Sequence, residues 1–282
     1  MRSVISLAAG AATLLSSTAF AADMAIAPPP YAPPVVEDFG GWYLRGDIGF
    51  SNQRVDRLKH PLDVQNDSSV QNLNFNTAGI FGLGAGYRFN NWFRADVTGE
   101  WRGNSQFFGT DHISYGGGIN GGVNGGVNTD TYHSTKNEWV VLANAYVDLG
   151  TWWCITPFIG AGVGGARVAV NGFTDQSINF TLANGAQPGL YSSTNAARWN
   201  FAWALHAGLA YKVSPNFTVE LAYRYLDMGD GVTNDLRPFD TVSPVLAPMT
   251  FKSITSHDLK LGVRWDLSSP EVYAPPPLIR KG

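Results

Sequence analysis

The chain has 282 residues, of which 44% are hydrophobic, 13% aromatic and only 15% charged, with 32 glycines and a formal net charge of −3. The charged share falls below the roughly one quarter usual for a soluble domain, and so small a net charge without a basic run gives no ground for a nucleic-acid or acidic partner. The single cysteine, Cys154, excludes an internal disulfide as the device that holds the fold.

In chain order, residues 1–22, "MRSVISLAAGAATLLSSTAFAA", read as a signal peptide. Arg2 precedes an apolar run from about Val4 to Leu15, and Ala19, Phe20 and Ala21 form a small-x-small cleavage site. Cleavage is expected after Ala21 or Ala22. The apolar run is too short to span a bilayer as a helix, and no later stretch reaches the roughly 18 apolar residues a spanning helix needs. Residues 23–40, carrying "PPPYAPPVVEDFG", read as an extended proline-rich linker.

The next stretch, "GWYLRGDIGF" (41–50), alternates. Trp42, Leu44, Ile48 and Phe50 share one parity, and Arg45 and Asp47 the other. A strand sends successive side chains to opposite faces, so one face is apolar and the other charged. The alternation recurs at 79–89, where Phe81, Leu83, Ala85, Tyr87 and Phe89 oppose small glycines and Arg88. At 93–102, Phe93, Val97 and Trp101 oppose Arg94, Asp96, Glu100 and Arg102. At 138–149, Trp139, Val141, Val147 and Leu149 oppose Glu138, Asn144 and Asp148, with Val140 and Leu142 blurring the pattern. Residues 157–170 are glycine-rich and of uncertain parity. Trp199, Phe201, Trp203, Leu205 and Tyr211 oppose Asn200, His206 and Lys212 in 199–213. Phe217, Leu221 and Tyr225 oppose Glu220 and Arg224 in 217–225. Leu259, Leu261 and Trp265 oppose Asp258, Lys260, Arg264 and Asp266 in 258–267.

These are eight predicted strands. Residues 52–75, 103–137, 171–198 and 229–253 form long polar connections, and 90–92, 150–156 and 214–216 short ones. Short turns at one end and long loops at the other are the pattern of an outer-membrane barrel. The predicted fold is all-β, an eight-stranded antiparallel transmembrane β-barrel in an up-and-down meander over 41–267. Both flanking segments, 23–40 and the proline-rich tail 268–282, then lie in the periplasm.

Alternation alone does not separate this from a soluble barrel with its apolar parity turned inward. The signal peptide, the aromatic strand ends and the one-sided long loops favour the membrane. So does the absence of Asp, Glu, Lys and Arg from the apolar parity in seven of the eight strands. An Arg or Lys facing lipid at mid-bilayer costs roughly 2–4 kcal/mol, a penalty that clears one parity and spares the other. Trp42, Phe50, Phe81, Phe89, Phe93, Trp101, Trp139, Trp199, Phe217, Tyr225 and Trp265 are then the expected aromatic girdle. The expected interior network is Arg45, Asp47, Arg94, Asp96, Glu100, Arg102, Glu220, Arg224, Asp258, Lys260 and Arg264. With Arg88, Lys212, Glu138, Asp148 and Asp266 it holds eight charges of each sign. An eight-stranded barrel has room for side chains to fill it, so the expectation is a salt-bridged polar core and not an open channel.

"AADMAIAPPPYAPPVVEDFGGWYLRGDIG", the eight-strand meander and the closing "LKLGVRWDL" resemble the small outer-membrane barrel and surface-antigen proteins of alphaproteobacteria, related in architecture to the OmpA barrel and OmpX. The resemblance implies an integral outer-membrane protein of a Gram-negative bacterium, exposed to hosts and phage, with a structural, porin-like or immunogenic role. It carries over no catalytic residues. Members of this class usually end on an aromatic of the last strand, whereas here "SSPEVYAPPPLIRKG" follows Leu267.

Other motifs add little. "GLGAG" (82–86) and "GAGVGG" (160–165) lack the following helix that a phosphate-binding loop needs. "GGINGGVNGGVN" (117–128) reads as an exposed loop tip. His60, His112, His133, His206 and His257 lack metal-site spacing, and "HIS" (112–114) lacks an orienting acid for nucleophilic catalysis. No enzyme activity, cofactor or metal is expected. The leading expectation is a structural and surface-recognition role, with a narrow diffusion channel and a loop-borne adhesin as alternatives. Expected partners are outer-membrane lipid and lipopolysaccharide, a host surface or phage at the loops, and a periplasmic cell-wall partner at the proline-rich tails.

Overall fold

The computed structural model describes residues 40–59, 68–120, 125–240 and 242–267. The signal peptide, residues 23–39 of the linker, His60, the middle of the glycine repeat and the tail 268–282 lie outside the described residues.

The strands are β1 (Gly41–Arg54), β2 (Arg57–Lys59), β3 (Ser68–Phe75), β4 (Ala78–Arg88), β5 (Phe93–Tyr115), β6 (Gly126–Asp148) and β7 (Ile155–Thr181). They continue as β8 (Gly185–Ser192), β9 (Ala196–Ser214), β10 (Phe217–Asp227), β11 (Gly231–Val232), β12 (Arg237–Pro238), β13 (Thr250–Lys252) and β14 (Thr255–Asp266). Eight of them pair antiparallel in a closed ring, β1-β4-β5-β6-β7-β9-β10-β14, and β14 returns to β1 with Leu44 opposite Trp265 and Phe50 opposite Leu259. Closure leaves the ring without a free edge, which is what a sheet needs to sit in hydrocarbon.

The turns at the end near the termini are tight. In the β4–β5 turn the Asn90 Oδ1 accepts from the amides of Trp92 and Phe93 at 3.0 and 2.7 Å, an Asx turn that reverses the chain. The β6–β7 turn is completed by left-handed Trp153 and Cys154, at φ 50° and 67°.

At the opposite end the structure departs from the sequence expectation. β5, β6 and β7 run for 23, 23 and 27 residues, so much of 103–137 and 171–198 is strand and not loop. Two irregularities carry the strands onward, between Arg102 and Ser105 in β5 and at 172–173 in β7, the latter with Gly172 at φ 58°. Each adds a residue and so switches which parity points inward. Past the kink Ser105, Phe107 and Asp111 of β5, and Phe173 and Asp175 of β7, are the buried set. A fixed-parity reading loses the strand at that switch, and beyond it the outer face mixes polar residues with scattered exposed Phe108, Ile178 and Phe180, so no continuous oily stripe marks it. β3 pairs along the extension of β5, β8 along that of β7, and β12 along β8. A small sheet, β11-β13-β2, lies among the long connections.

The ring's side chains sort by face. Leu44, Ile48, Leu83, Val97, Val141, Leu205, Leu221 and Leu261 are exposed on its outer wall. Trp42, Phe50, Phe81, Phe89, Trp101, Trp139, Trp199 and Trp265 are exposed there too, whereas Phe93, Phe217 and Tyr225 are half-buried. The interior has two zones. Charged side chains fill the part nearer the termini. Charged residues continue up β5 and β6 to Arg102, Glu138 and Lys136, while the wall formed by β6, β7, β9 and β10 turns apolar, with Val140, Leu142, Ala166, Val168, Ala202, Ala204 and Leu226 buried in one cluster with Leu58, Phe75, Phe107, Tyr132, Phe173, Met228, Met249 and Phe251. The salt-bridged core is therefore joined by an apolar lining that the alternation did not mark. The residues that blurred the alternation, Val140 and Leu142, face inward and belong to one apolar cluster with residues of the strand extensions and the long connections.

Candidate functional site: a charged lumen beneath an apolar cap

The charged zone is built from alternate residues of the ring strands. Arg45 on β1 lies 2.8 Å from Asp47 and 2.8 Å from Asp96 of β5, and its guanidinium also donates to the Tyr146 hydroxyl of β6 at 3.1 Å. Arg94 reaches Glu220 and Asp148, each at 3.3 Å, with its guanidinium over the rings of Tyr146 and Phe158 at 4.3 and 4.8 Å. Arg264 pairs with Glu220, and Arg88 with Asp266 at 2.9 Å.

A second constellation sits closer to the cap. Arg224 of β10 is fully buried and binds Glu100 through both terminal nitrogens, at 2.9 and 2.6 Å. It also donates to Asp258 at 2.7 and 2.9 Å. Arg102 of β5 takes the same Asp258 from across the lumen at 2.8 Å and holds Glu138 at 3.1 Å. Lys260 pairs with Glu100 and stands 3.5 Å from Asp47, which ties the two constellations together. Two-pronged guanidinium–carboxylate contacts of this kind are short, charge-assisted and directional.

Neutral side chains add further hydrogen bonds to the network. Asn144 Nδ2 donates to Asp96 at 2.8 Å and to Thr98 at 3.1 Å, and its Oδ1 lies 3.1 Å from His206 Nε2. The Tyr43 hydroxyl donates to Asp96 at 3.1 Å. Glycines on β4 supply clearance. A Cβ at Gly84 would come within 3.0 Å of the Arg45 side chain, and one at Gly86 would collide with the Tyr43 ring.

Lumen residues beyond the predicted strand ends escaped the sequence reading, Lys136 and Gln53 among them. Lys136 is buried, pairs with Glu138 and lies over the Phe75 ring at 4.6 Å, and Gln53 donates to Glu138 at 3.0 Å. Lys136 shares the parity of Glu138 two residues earlier, and Gln53 that of Arg45 and Asp47. Extending those strands past their polar residues would have found both. Lys212 keeps the inward parity of Ala210 and His206, opposite buried Thr218, yet is exposed because it stands near the end of β9. At the rim its ammonium reaches solvent, where it is best hydrated.

The histidines fall elsewhere. His257 is outside the lumen, its Nδ1 2.6 Å from the Tyr223 hydroxyl. His112 Nδ1 is 3.0 Å from Thr129 Oγ1 and not engaged with Ser114.

Above the ring, three carboxylates are buried inside the strand extension. Asp111 and Asp130 face each other across the β5–β6 ladder, and Asp175 lies nearby on β7. Asp111 is held by Ser69 and Gln71, each at 2.7 Å, and Asp130 by Asn128 at 2.8 and 2.9 Å. Burial first, then repulsion from Asp130 and Asp111, pushes Asp175 up to about 8. Its native pKa lies above the unfolded one. The folded extension therefore binds a proton the unfolded chain has released, and its stability falls as pH rises through that window toward 8. Amide exchange in the β5–β7 extension is expected to be slower at pH 5 than at pH 8.5 after correction for intrinsic rates, about these limits. Asp175→Asn flattens that dependence.

Comparison with known proteins fits this architecture. Residues 8–266 match the family model described as the outer membrane protein beta-barrel domain. The chain is 30% identical over 227 residues to an uncharacterised protein of Brucella abortus, covering 76% of this chain and 78% of that protein. It is 27% identical over 272 residues to a putative adhesin of Rickettsia felis (95% of this chain, 100% of the relative) and 31% identical over 199 residues to the outer membrane protein PagN of Salmonella typhimurium (67% and 75%). Among solved structures, the outer membrane protein OprG of Pseudomonas aeruginosa gives a TM-score of 0.44 at 12% identity, covering 82% of this chain and 97% of that one. Neisserial surface protein A gives 0.40 at 17% identity, covering 80% and 97%. The closed eight-strand ring, its oily outer wall and the match across nearly the whole chain lead to one conclusion: this protein belongs to the outer membrane β-barrel family of Gram-negative bacteria.

Proposed function

We propose that this barrel is a sealed, non-enzymatic anchor that holds a rigid β-extension outside the cell as a surface for recognition, host surfaces included. One observation carries the reading: the lumen is filled from the ion-pair network up to the apolar cap, while β5, β6 and β7 continue past the membrane wall as a single sheet. A packed interior suits a scaffold better than a conduit. The extension exposes Val70, Phe108, Ile178, Phe180 and Leu190, apolar side chains that a surface-recognition protein can use. The relative named a putative adhesin supports the same reading.

The test uses a non-adherent bacterium displaying the full chain. Cells are expected to gain attachment to cultured host cells. They are expected to lose most of it when 114–127 is replaced by an Asn-Gly turn joining Ile113 to Asn128, which already face each other across the ladder. Folding of the variant is checked by its altered gel mobility before and after boiling. Attachment unchanged both by the replacement and by joint Phe108→Ser, Ile178→Ser and Phe180→Ser rejects the extension as the binding surface. Steady conductance of the purified protein in planar bilayers, altered by Arg224→Gln, rejects the sealed anchor in favour of a diffusion channel.

A further inference from the structure

The outer wall of the ring carries a cation where a barrel wall normally avoids one. Arg167 of β7 stands on the outward parity, directly opposite Trp139 of β6 on one side and Trp199 of β9 on the other. Both tryptophans are more than half exposed, at 51% and 61%. The position is at the long-loop end of the oily wall, where the headgroups of the outer leaflet meet hydrocarbon. Among the described residues no carboxylate forms an ion pair with it. A guanidinium held at a membrane interface between two indoles, with no protein counter-ion, calls for an anion from outside the chain.

Two separate concavities flank the Trp139–Arg167 pair. One, of about 400 Å³, is lined by Arg167, Asn137, Asn171 and Asn195 with small Ala169 and Ala197 at its floor. Guanidinium and amide groups there offer several hydrogen-bond donors around a space free of bulky side chains. The other, of about 570 Å³, runs along the oily wall below and is lined by Ile48, Leu83, Gly99, Trp101, Trp139 and Leu261. It exists because Gly99 and Gly46 leave the wall bare. A Cβ at Gly99 would touch nothing within 4 Å. Trp139 lines the lower groove and also pairs with Arg167, so the donor-rich space and the oily groove are neighbours on one wall.

We infer that this wall holds a phosphate-bearing lipid of the outer leaflet, its phosphate against Arg167 and the asparagine amides and an acyl chain over Trp139 in the groove at Gly99. Arginine suits the headgroup because its planar fork matches two phosphate oxygens at once. A free anion would use only the upper space, and a neutral lipid only the lower. The two together select a molecule with both parts.

The test uses the full-length barrel folded in mild detergent, doped with phosphatidic acid or with diacylglycerol of the same chains, and read by native mass spectrometry. Wild type is expected to retain phosphatidic acid about tenfold better than diacylglycerol, the scale of a hydrogen bond to a charged group. Arg167→Gln is expected to erase that preference. Gly99→Leu fills the groove and is expected to lower retention of both lipids. Arg54→Gln, which removes the outward cation at the end of β1, is expected to change nothing. Each variant is first checked for its heat-dependent gel shift, and Arg167→Lys, which keeps the charge, is expected to recover part of the preference. Equal retention of the two lipids by wild type overturns the inference. So does full competition by inorganic phosphate alone, retention untouched by Gly99→Leu, or a dimer of the barrel that covers the groove.

Discussion

Arg224→Ala is expected to destabilise the barrel by about 3–5 kcal/mol, the usual result of removing one partner from a buried ion pair. The residue is fully buried and joins Glu100 to Asp258, two carboxylates on different strands. Its loss leaves both carboxylates in a dry interior with fewer donors, and Asp258 must then depend on Arg102 and Ser256 alone. Urea unfolding in detergent micelles, followed by the loss of the heat-dependent gel shift, measures the change. Because the penalty arises from the stranded carboxylates and not from the missing attraction, Arg224→Met with Glu100→Gln is expected to recover much of it. A double variant as unstable as the single would show that the strands need this ion pair itself.

Phe251→Ala tests the cap. This ring, on β13, packs against Phe75, Phe107 and Phe173 at centroid distances of 6.3, 4.9 and 6.0 Å. Truncating a buried Phe removes about 3–5 kcal/mol, and the residues that lose it are all at the extracellular end. Limited proteolysis is expected to cut within 228–254 far faster in the variant, while the gel shift of the barrel stays as in wild type. Arg224→Ala is expected to do the reverse, weakening the ring before the cap. Loss of the gel shift by Phe251→Ala would mean that cap and ring unfold as one unit, contrary to the separation of an ionic lower zone from an apolar upper one.

How far these features could be read in advance follows from where the solvent changes. Within the bilayer, lipid imposes one rule on every outward position, so Leu44, Val97 and Leu261 repeat with period 2 and the sequence by itself determines the strands, their number and which face meets hydrocarbon. The same alternation places Arg45, Glu100 and Arg224 opposite that face. Outside the bilayer the rule lapses. The extensions of β5 and β7 face water, their inward parity switches at Ser105 and Phe173, and polar or glycine-rich strands there look like loops. The pairing of Phe107 with Phe251 links residues far apart in the chain, and nothing local marks it. Arg167 shows the same limit in one residue: its glycine-rich strand has no clear alternation, and only its register between Trp139 and Trp199 shows that it points to lipid. The periodic wall is thus legible because each residue answers to the membrane alone, whereas the cap, the carboxylate cluster and the cationic groove depend on neighbours that only the closed tertiary structure brings together.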